Sequence, residues 1–152
     1  MDKIASFCVD HTKLLPGIYT SRQDGDITTY DIRMRRPNHP PFLDTAVMHT
    51  VEHLFATFAR NSQYADKVIY FGPMGCRTGF YFLVRDMEPA VALTLMISIF
   101  QQISQYQGEI PGNSAAECGN YLEHNLSGAI KEATEFYEII RAWQVEDLQY
   151  RQ

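Results

Sequence analysis

Apolar and polar residues follow two different periods along this chain. Four short stretches are β-branched, aromatic or alternating and are bounded by turn residues, which is typical of strands. They are residues 18–20, 27–34, 68–71 and 80–84. The first two flank the turn signal of residues 23–26, so they are predicted to pair as an antiparallel hairpin.

Three longer segments carry apolar residues at spacings of three and four, which indicates helices that each bury one face. They are residues 46–60 with Asp44 or Thr45 as N-cap, residues 88 to about 106, and about 129–143 with Ser127 or Gly128 as N-cap. The polar tail after the last helix, residues 144–152, is expected to fray. No repeat, linker or low-complexity segment divides the chain, so residues 1–152 are predicted to form a single domain.

Composition narrows the class of protein. The chain has 152 residues, of which 45% are hydrophobic and 20% charged, as in ordinary globular proteins. A formal net charge of −5 argues against nucleic-acid binding and against attraction to an acidic membrane. The N-terminus has no apolar signal segment and no stretch is apolar enough to span a membrane. A cytoplasmic protein without nucleic-acid or membrane partners is therefore predicted.

The chain has three cysteines, Cys8, Cys76 and Cys118. An odd number, without a C-x-x-C pair or an export signal, argues against a disulfide framework. At least one thiol is therefore free to act as a metal ligand or a nucleophile. Cys76 lies in a glycine-bearing loop beside Arg77, whose charge could favour a reactive thiolate, although a free cysteine is also commonly a small buried hydrophobe.

The motif H-x-x-E-H, residues 49–53, lies in the first predicted helix. Residues four apart share a helix face, so His49 and His53 can aim both imidazoles at one metal ion. Glu52 flanks that face as a carboxylate that does not bind the metal. The alternative is a pair of ordinary histidines packed at the edge of the core.

A catalytic metal site needs a third ligand and one open position. Cys118 is the best candidate, since Gly119 beside it permits close approach of the backbone, but spacing alone does not exclude Cys76. Cys8 is the weakest candidate because no glycine lies near it. Two imidazoles and one thiolate suit zinc or another divalent transition metal such as iron.

These features alone are compatible with two classes of protein, a metallopeptidase and a non-enzymatic metal-binding protein. In a metallopeptidase of the inverted-motif type, Glu52 would activate a metal-bound water. In a non-enzymatic metal-binding protein, Cys76 and Cys118 would both bind the metal and close a four-ligand site.

Five motifs in order resemble the S-ribosylhomocysteine lyase family of the LuxS type, over nearly the whole chain. They are S-F-x-x-D-H-T-K at 6–13, Y-D-I-R at 30–33, H-T-V-E-H at 49–53, P-M-G-C-R-T-G-F-Y at 73–81 and E-C-G-N at 117–120. The joint occurrence of these motifs is far more specific than H-x-x-E-H alone. The resemblance implies an α+β fold, in which an antiparallel sheet is packed by helices and H-x-x-E-H lies on a helix.

The resemblance also implies a role for each motif residue. His49, His53 and Cys118 are implied to bind one Fe²⁺ per subunit, with zinc or cobalt as substitutes. Cys76 and Glu52 are implied to be the catalytic acid/base pair.

Three further residues, Ser6, His11 and Arg33, are implied to position the substrate. The family resemblance implies a homodimer with two active sites at the interface, each lined by both subunits.

The implied reaction cleaves the thioether of S-ribosylhomocysteine to homocysteine and 4,5-dihydroxy-2,3-pentanedione, the precursor of autoinducer-2. The sugar carbonyl migrates through enediolates until the carbon–sulfur bond can break by β-elimination. Such an enzyme would act in quorum sensing and in the activated methyl cycle.

One stretch departs from the family pattern. The family usually has an aspartate three residues before P-M-G-C, implied to hold the amino-acid end of homocysteine. Tyr70 occupies that position here. The expectation is that another group binds the substrate ammonium, that affinity for this end is reduced, or that the substrate differs.

Overall fold

A four-stranded antiparallel sheet forms one layer of the protein, seen in a computed structural model that describes residues 1–151. The strands are β1 (Gly17–Asp24), β2 (Ile27–Arg33), β3 (Val68–Pro73) and β4 (Gly79–Arg85), in the spatial order β1-β2-β4-β3. The predicted hairpin is β1–β2, whose register pairs Tyr19 with Asp31. All four predicted strands are present; the three short ones are longer than predicted, and β2 ends at Arg33, one residue before its predicted end.

Three helices form the second layer. They are α1 (Thr45–Arg60), α2 (Pro89–Ser104) and α3 (Leu126–Ile140). Their buried residues join the inward side chains of all four strands in one hydrophobic core. The predicted α+β fold, with an antiparallel sheet packed by helices, is confirmed. Within the described residues, no helix combines the length and apolar character that crossing a membrane requires.

Phe55 anchors α1 to the sheet. Its ring stacks on Phe71 of β3 at 3.9 Å between centroids and meets Phe82 of β4 edge-on at 4.9 Å. Such aromatic pairs add to the free energy gained by burying the rings themselves. The anchor fixes the rotation of α1, so that His49, Glu52 and His53 lie half-buried beside the core face.

The face of the sheet opposite the helices is buried unevenly, most deeply at one end. There Asp31 and Arg33 are 1% and 2% exposed, although neighbouring positions on the same face remain partly accessible. Gly79 starts β4 beneath this region, and a Cβ at that position would overlap the Ile32 carbonyl oxygen. The close approach of β4 to β2 therefore requires glycine there.

The third helix begins earlier than its pattern predicts. Asn125, not Ser127 or Gly128, is the N-cap, and its side-chain oxygen accepts a hydrogen bond from the Gly128 amide at 2.9 Å. The helix also ends at Ile140 rather than Trp143. The prediction of the cap was wrong because three polar or small residues compete in this stretch and only the fold selects among them.

The C-terminal tail is folded, contrary to the expected fraying. Residues Val145–Leu148 form a short 3-10 helix, and Leu148 is buried in the core. Tyr150 stacks on Tyr19 of β1 with ring centroids 5.0 Å apart. The polar tail thus covers the end of the sheet where Asp31 is buried.

Candidate metal centre and reactive cysteine

Four metal-binding side chains converge beside helix α1. They are His49, His53, Cys118 and His124, whose potential ligand atoms all lie within 4.8 Å of one another. Cys118 Sγ is 3.3 Å from His49 Nε2 and 3.9 Å from His53 Nε2. Ligand atoms around a tetrahedral zinc-like ion lie roughly 3.3–3.7 Å apart, so the predicted trio is close to ligating distance. The three side chains named from the sequence therefore meet in a candidate metal site.

Backbone carbonyls orient both helix histidines. The Nδ1 atom of His49 lies 2.8 Å from the Glu123 carbonyl, and that of His53 lies 2.8 Å from the Pro111 carbonyl. A carbonyl oxygen only accepts, so Nδ1 must carry the proton in each ring. The Nε2 atoms are left with free lone pairs that face Cys118. Metal-binding histidines usually donate the other ring N–H to a carbonyl or carboxylate in this way, so the pair fits a divalent transition metal.

His124 is the member of the cluster that sequence analysis missed. Its Nε2 lies 4.0 Å from Cys118 Sγ, and its Nδ1 lies 3.0 Å from Thr50 Oγ1. Burial, followed by the neighbouring imidazoles of His49 and His53, lowers the pKa of His124, which favours the neutral ring. The only available signal was a histidine six residues after Cys118, directly before the cap of α3.

Ring orientation separates His124 from the other two histidines. Its ring stacks on that of His49, with centroids 3.9 Å apart and planes at 21°. An imidazole binds metals along a lone pair in the plane of its ring, and two stacked rings hold those lone pairs in nearly parallel planes that do not meet at one nearby point. His49 and His53, by contrast, are edge-to-face at 89° and can converge on one point.

Cys76 lies in the β3–β4 loop with its own set of partners. Its side chain is exposed, and its Sγ is 3.0 Å from Thr78 Oγ1. Arg33 donates to the same hydroxyl oxygen at 2.8 Å, and its Nη1 is 4.0 Å from the sulfur. Since Thr78 accepts from Arg33, its own proton is available to Cys76. The loop therefore presents an exposed sulfur to a guanidinium and a hydroxyl donor.

The cation that faces Cys76 differs from the one expected. Arg77 has a positive φ of 60°, and its guanidinium donates to the Leu43 carbonyl at 3.3 Å. The expectation that Arg77 holds the thiolate was wrong, because the turn directs its side chain towards Leu43 instead. Arg33, predicted as a substrate-positioning residue, occupies that place.

Glu52 lines a cavity of about 350 Å³ together with His53, Tyr70 and Pro111. A volume of this size accommodates a small sugar. Tyr70, at the position where the resemblance implied an aspartate, is 55% exposed and borders this cavity. A phenol therefore stands at the edge of this cavity where the resemblance implied a carboxylate.

Ser6 lines a second cavity, of about 330 Å³, which also borders on Tyr70. His11 is half-buried, and its Nδ1 lies 2.8 Å from the Val9 carbonyl. The predicted site residues thus form three groups within one chain, namely the metal cluster with Glu52, the Cys76 loop with Arg33, and the N-terminal segment with Ser6 and His11.

A cluster of metal donors beside a cavity is typical of a metal-dependent enzyme. The family model described as S-ribosylhomocysteinase (LuxS) matches residues 4–147. The chain therefore belongs to the LuxS family, as its motifs predicted.

Curated relatives agree along almost the full length. The S-ribosylhomocysteine lyase of Clostridium beijerinckii is 52% identical over 142 residues, which cover 90% of this chain and 89% of that protein. The protein of the same name from Finegoldia magna is 48% identical over 155 residues, or 99% of each chain. That of Borreliella burgdorferi is 46% identical over 156 residues, again 99% of each chain.

Proposed function

We propose that this protein is an S-ribosylhomocysteine lyase, which splits its substrate into homocysteine and 4,5-dihydroxy-2,3-pentanedione. The observation that carries the proposal is the cluster of His49, His53 and Cys118 beside the cavity lined by Glu52, in a chain of the LuxS family. The reaction is balanced without a co-reactant. The proton removed from the carbon next to the final ketone ends on the released thiol as the carbon–sulfur bond breaks.

His49, His53 and Cys118 are the proposed metal ligands, with one Fe²⁺ per subunit and zinc or cobalt as substitutes. Support comes from the two carbonyl-oriented imidazoles and the thiol at 3.3 and 3.9 Å from them. When bound, the ion supplies a Lewis acid that polarises the sugar carbonyl. The stacking of His124 on His49 supports a role for His124 outside the ligand set.

Cys76 and Glu52 are the proposed proton carriers. Carbonyl migration requires protons to leave one carbon and arrive at the next, so a base and an acid must face the sugar. Cys76 is supported by its exposed sulfur, with Arg33 and Thr78 able to stabilise a thiolate. Glu52 is supported by its position in the cavity wall next to His53.

Ser6, His11 and Arg33 are the proposed substrate-positioning residues. Ser6 is supported by the cavity it shares with Tyr70. Arg33 is nearly fully buried, and its guanidinium approaches the Cys76 sulfur. It would therefore position the part of the substrate that lies next to Cys76. Tyr70 offers no negative charge to the homocysteine ammonium, so the affinity for that end of the substrate is expected to be lower.

A homodimer with shared active sites is proposed as the working assembly. Ile4, Phe7, Leu15 and Tyr70 are large apolar side chains that are each more than half exposed, and Ile4 and Tyr70 line the same cavity as Ser6. Exposed apolar residues gathered beside a functional segment are typical of an interaction surface. A partner chain that covers this surface would enclose the cavity of Ser6.

The mass in solution tests the assembly. Light scattering is expected to give twice the 17.5 kDa of one chain, and Phe7→Glu is expected to shift the population towards the single chain. Ile139→Glu, on the outer side of α3, is the matched control and should leave the mass unchanged. A single-chain mass for the unmodified protein at micromolar concentration would contradict the dimer.

A cytoplasmic location is proposed from the thiols. All three cysteines are free, which suits a reducing compartment. The proposed product, 4,5-dihydroxy-2,3-pentanedione, would link the enzyme to autoinducer synthesis, and homocysteine to the activated methyl cycle.

The decisive assay measures thiol release from S-ribosylhomocysteine by the iron-loaded protein under anaerobic conditions. We expect one equivalent of homocysteine per substrate consumed, and no release from the metal-free protein. Failure of correctly loaded protein to release any thiol would overturn the proposal. The metallopeptidase alternative gains no support from the relatives, and the same preparation should leave unstructured peptides intact.

A further inference from the structure

A buried ion pair lies directly beneath the Cys76 loop. The side chains of Asp31 and Arg33 are 1% and 3% exposed, and Arg33 Nη2 donates to Asp31 Oδ2 at 2.7 Å. Burial alone would lower the pKa of Arg33, but the Asp31 carboxylate outweighs it and raises that pKa. A buried pair of this kind is costly unless its remaining hydrogen-bonding positions are filled.

The Arg33 guanidinium is shared between two opposite neighbours. One nitrogen binds Asp31, and the other donates to Thr78 Oγ1 and approaches Cys76 Sγ. Its Nε has no hydrogen-bond partner among the described residues. The position of the guanidinium therefore depends on how strongly Asp31 attracts it relative to the Cys76 side.

The folded tail supplies the second donor to Asp31. The Tyr150 hydroxyl donates to Asp31 Oδ2 at 2.7 Å, so both donors converge on one carboxylate oxygen. Burial, followed by the Asp31 charge, raises the pKa of Tyr150, which keeps the phenol protonated. Leu148, buried in the core, and the stack on Tyr19 hold the phenol in place.

We propose that Tyr150 is a positioning residue for proton transfer by Cys76. Its hydroxyl donates a hydrogen bond to the Asp31 carboxylate, which weakens the attraction between that carboxylate and Arg33. The Arg33 guanidinium can then stabilise the Cys76 thiolate. The inference rests on the proposed function in one respect, namely that Cys76 carries protons. It extends the active site from the sulfur through Arg33 and Asp31 to the C-terminal tail.

Other titratable groups surround this network from each packed element. Tyr19 of β1 and Tyr81 of β4 both have a raised pKa, first through burial and then through the Asp31 charge. Arg151 lies next in the tail, where its guanidinium pairs with Asp147 at 3.0 Å. Tyr19 donates its hydroxyl to the Leu15 carbonyl rather than to Asp31, so Tyr150 is the phenol that bears directly on the ion pair.

Removing the Tyr150 hydroxyl should make the thiolate form of Cys76 less stable relative to the thiol. In Tyr150→Phe the ring still stacks on Tyr19, but Asp31 keeps its full charge and draws Arg33 away from the sulfur. A hydrogen bond to a charged group contributes more free energy than one between neutral groups. Only part of the loss at Asp31 should reach Cys76, because Arg33 lies between them. We expect the rate of Cys76 alkylation by iodoacetamide below neutral pH to fall about three- to tenfold, and its pH midpoint to rise.

The measurement is the alkylation rate of Cys76 against pH, read by peptide mass mapping of the full metal-loaded chain. Exposed Cys8 in the same sample is the internal reference, and its rate should not change. Tyr19→Phe is the matched control, because it removes a neighbouring hydroxyl that does not bind Asp31. We expect the midpoint of that variant to match the unmodified protein.

Two outcomes overturn the inference. An unchanged Cys76 profile in Tyr150→Phe, with or without a lower thermal midpoint, would assign Tyr150 a structural role only. Equal shifts in Tyr150→Phe and Tyr19→Phe would point to general loosening of the sheet end. Because alkylation requires no turnover, these results stand apart from the thiol-release assay, whose failure would overturn the lyase proposal instead.

Discussion

Cys76→Ala is expected to abolish thiol release while the metal content stays at one ion per chain. The alanine variant removes the proton carrier but leaves His49, His53 and Cys118 in place. A positioned acid or base typically contributes about 10²–10⁴-fold to a proton-transfer step, and migration of the carbonyl along the sugar involves several such steps. We therefore expect a loss of about 10³-fold or more, measured as homocysteine released at saturating substrate.

Cys8→Ala is the matched control for this loss. Cys8 is an exposed thiol whose Sγ donates only to the Ile4 carbonyl, so its removal should change the rate by no more than about twofold. Metal analysis of both variants adds a second readout. A Cys76→Ala protein that turns over normally would contradict the proton-carrier role, and one that loses its metal would favour the closed four-ligand alternative.

The sequence predicts the helices and the placing of His49 and His53 on one helix face well because both depend on local spacing. The apolar positions of α1 recur every three or four residues, and the same periodicity places His49 and His53 on one face. The β1–β2 hairpin is equally local, since a turn signal lies between two strand-like stretches. Each of these features involves residues close together in the chain.

Features that depend on contacts distant in sequence escaped prediction. The pairing of β2 with β4 brings Arg33 next to Gly79 and so beneath Cys76, across more than forty positions of the chain. No periodicity marks His124, because it lies in a loop whose course is set by Thr50 and the Asn125 cap. The sequence of the tail suggests a polar, frayed segment because Leu148 is the one core residue in its described part, and only the finished sheet offers that side chain a place to be buried.

Loss of His53 and loss of His124 should affect metal binding very differently. In the proposed site His53 is a ligand oriented by the Pro111 carbonyl, whereas His124 stacks on His49 and cannot easily direct its lone pair to the same point. Changing an outer partner of a metal site typically costs 10–100-fold in affinity. We expect His124→Gln to weaken cobalt binding by about tenfold, and His53→Gln to weaken it by more than about 100-fold.

Cobalt titration followed by absorption spectroscopy measures both quantities at once. The thiolate-to-cobalt band reports Cys118 and should persist in His124→Gln at saturating metal, while its ligand-field bands stay near those of the unmodified protein. His39→Gln is the control, since that imidazole lies near Pro37 and outside the donor cluster. If His124→Gln loses cobalt as completely as His53→Gln, His124 is a fourth protein ligand, and the proposed three-ligand site with one open position is contradicted.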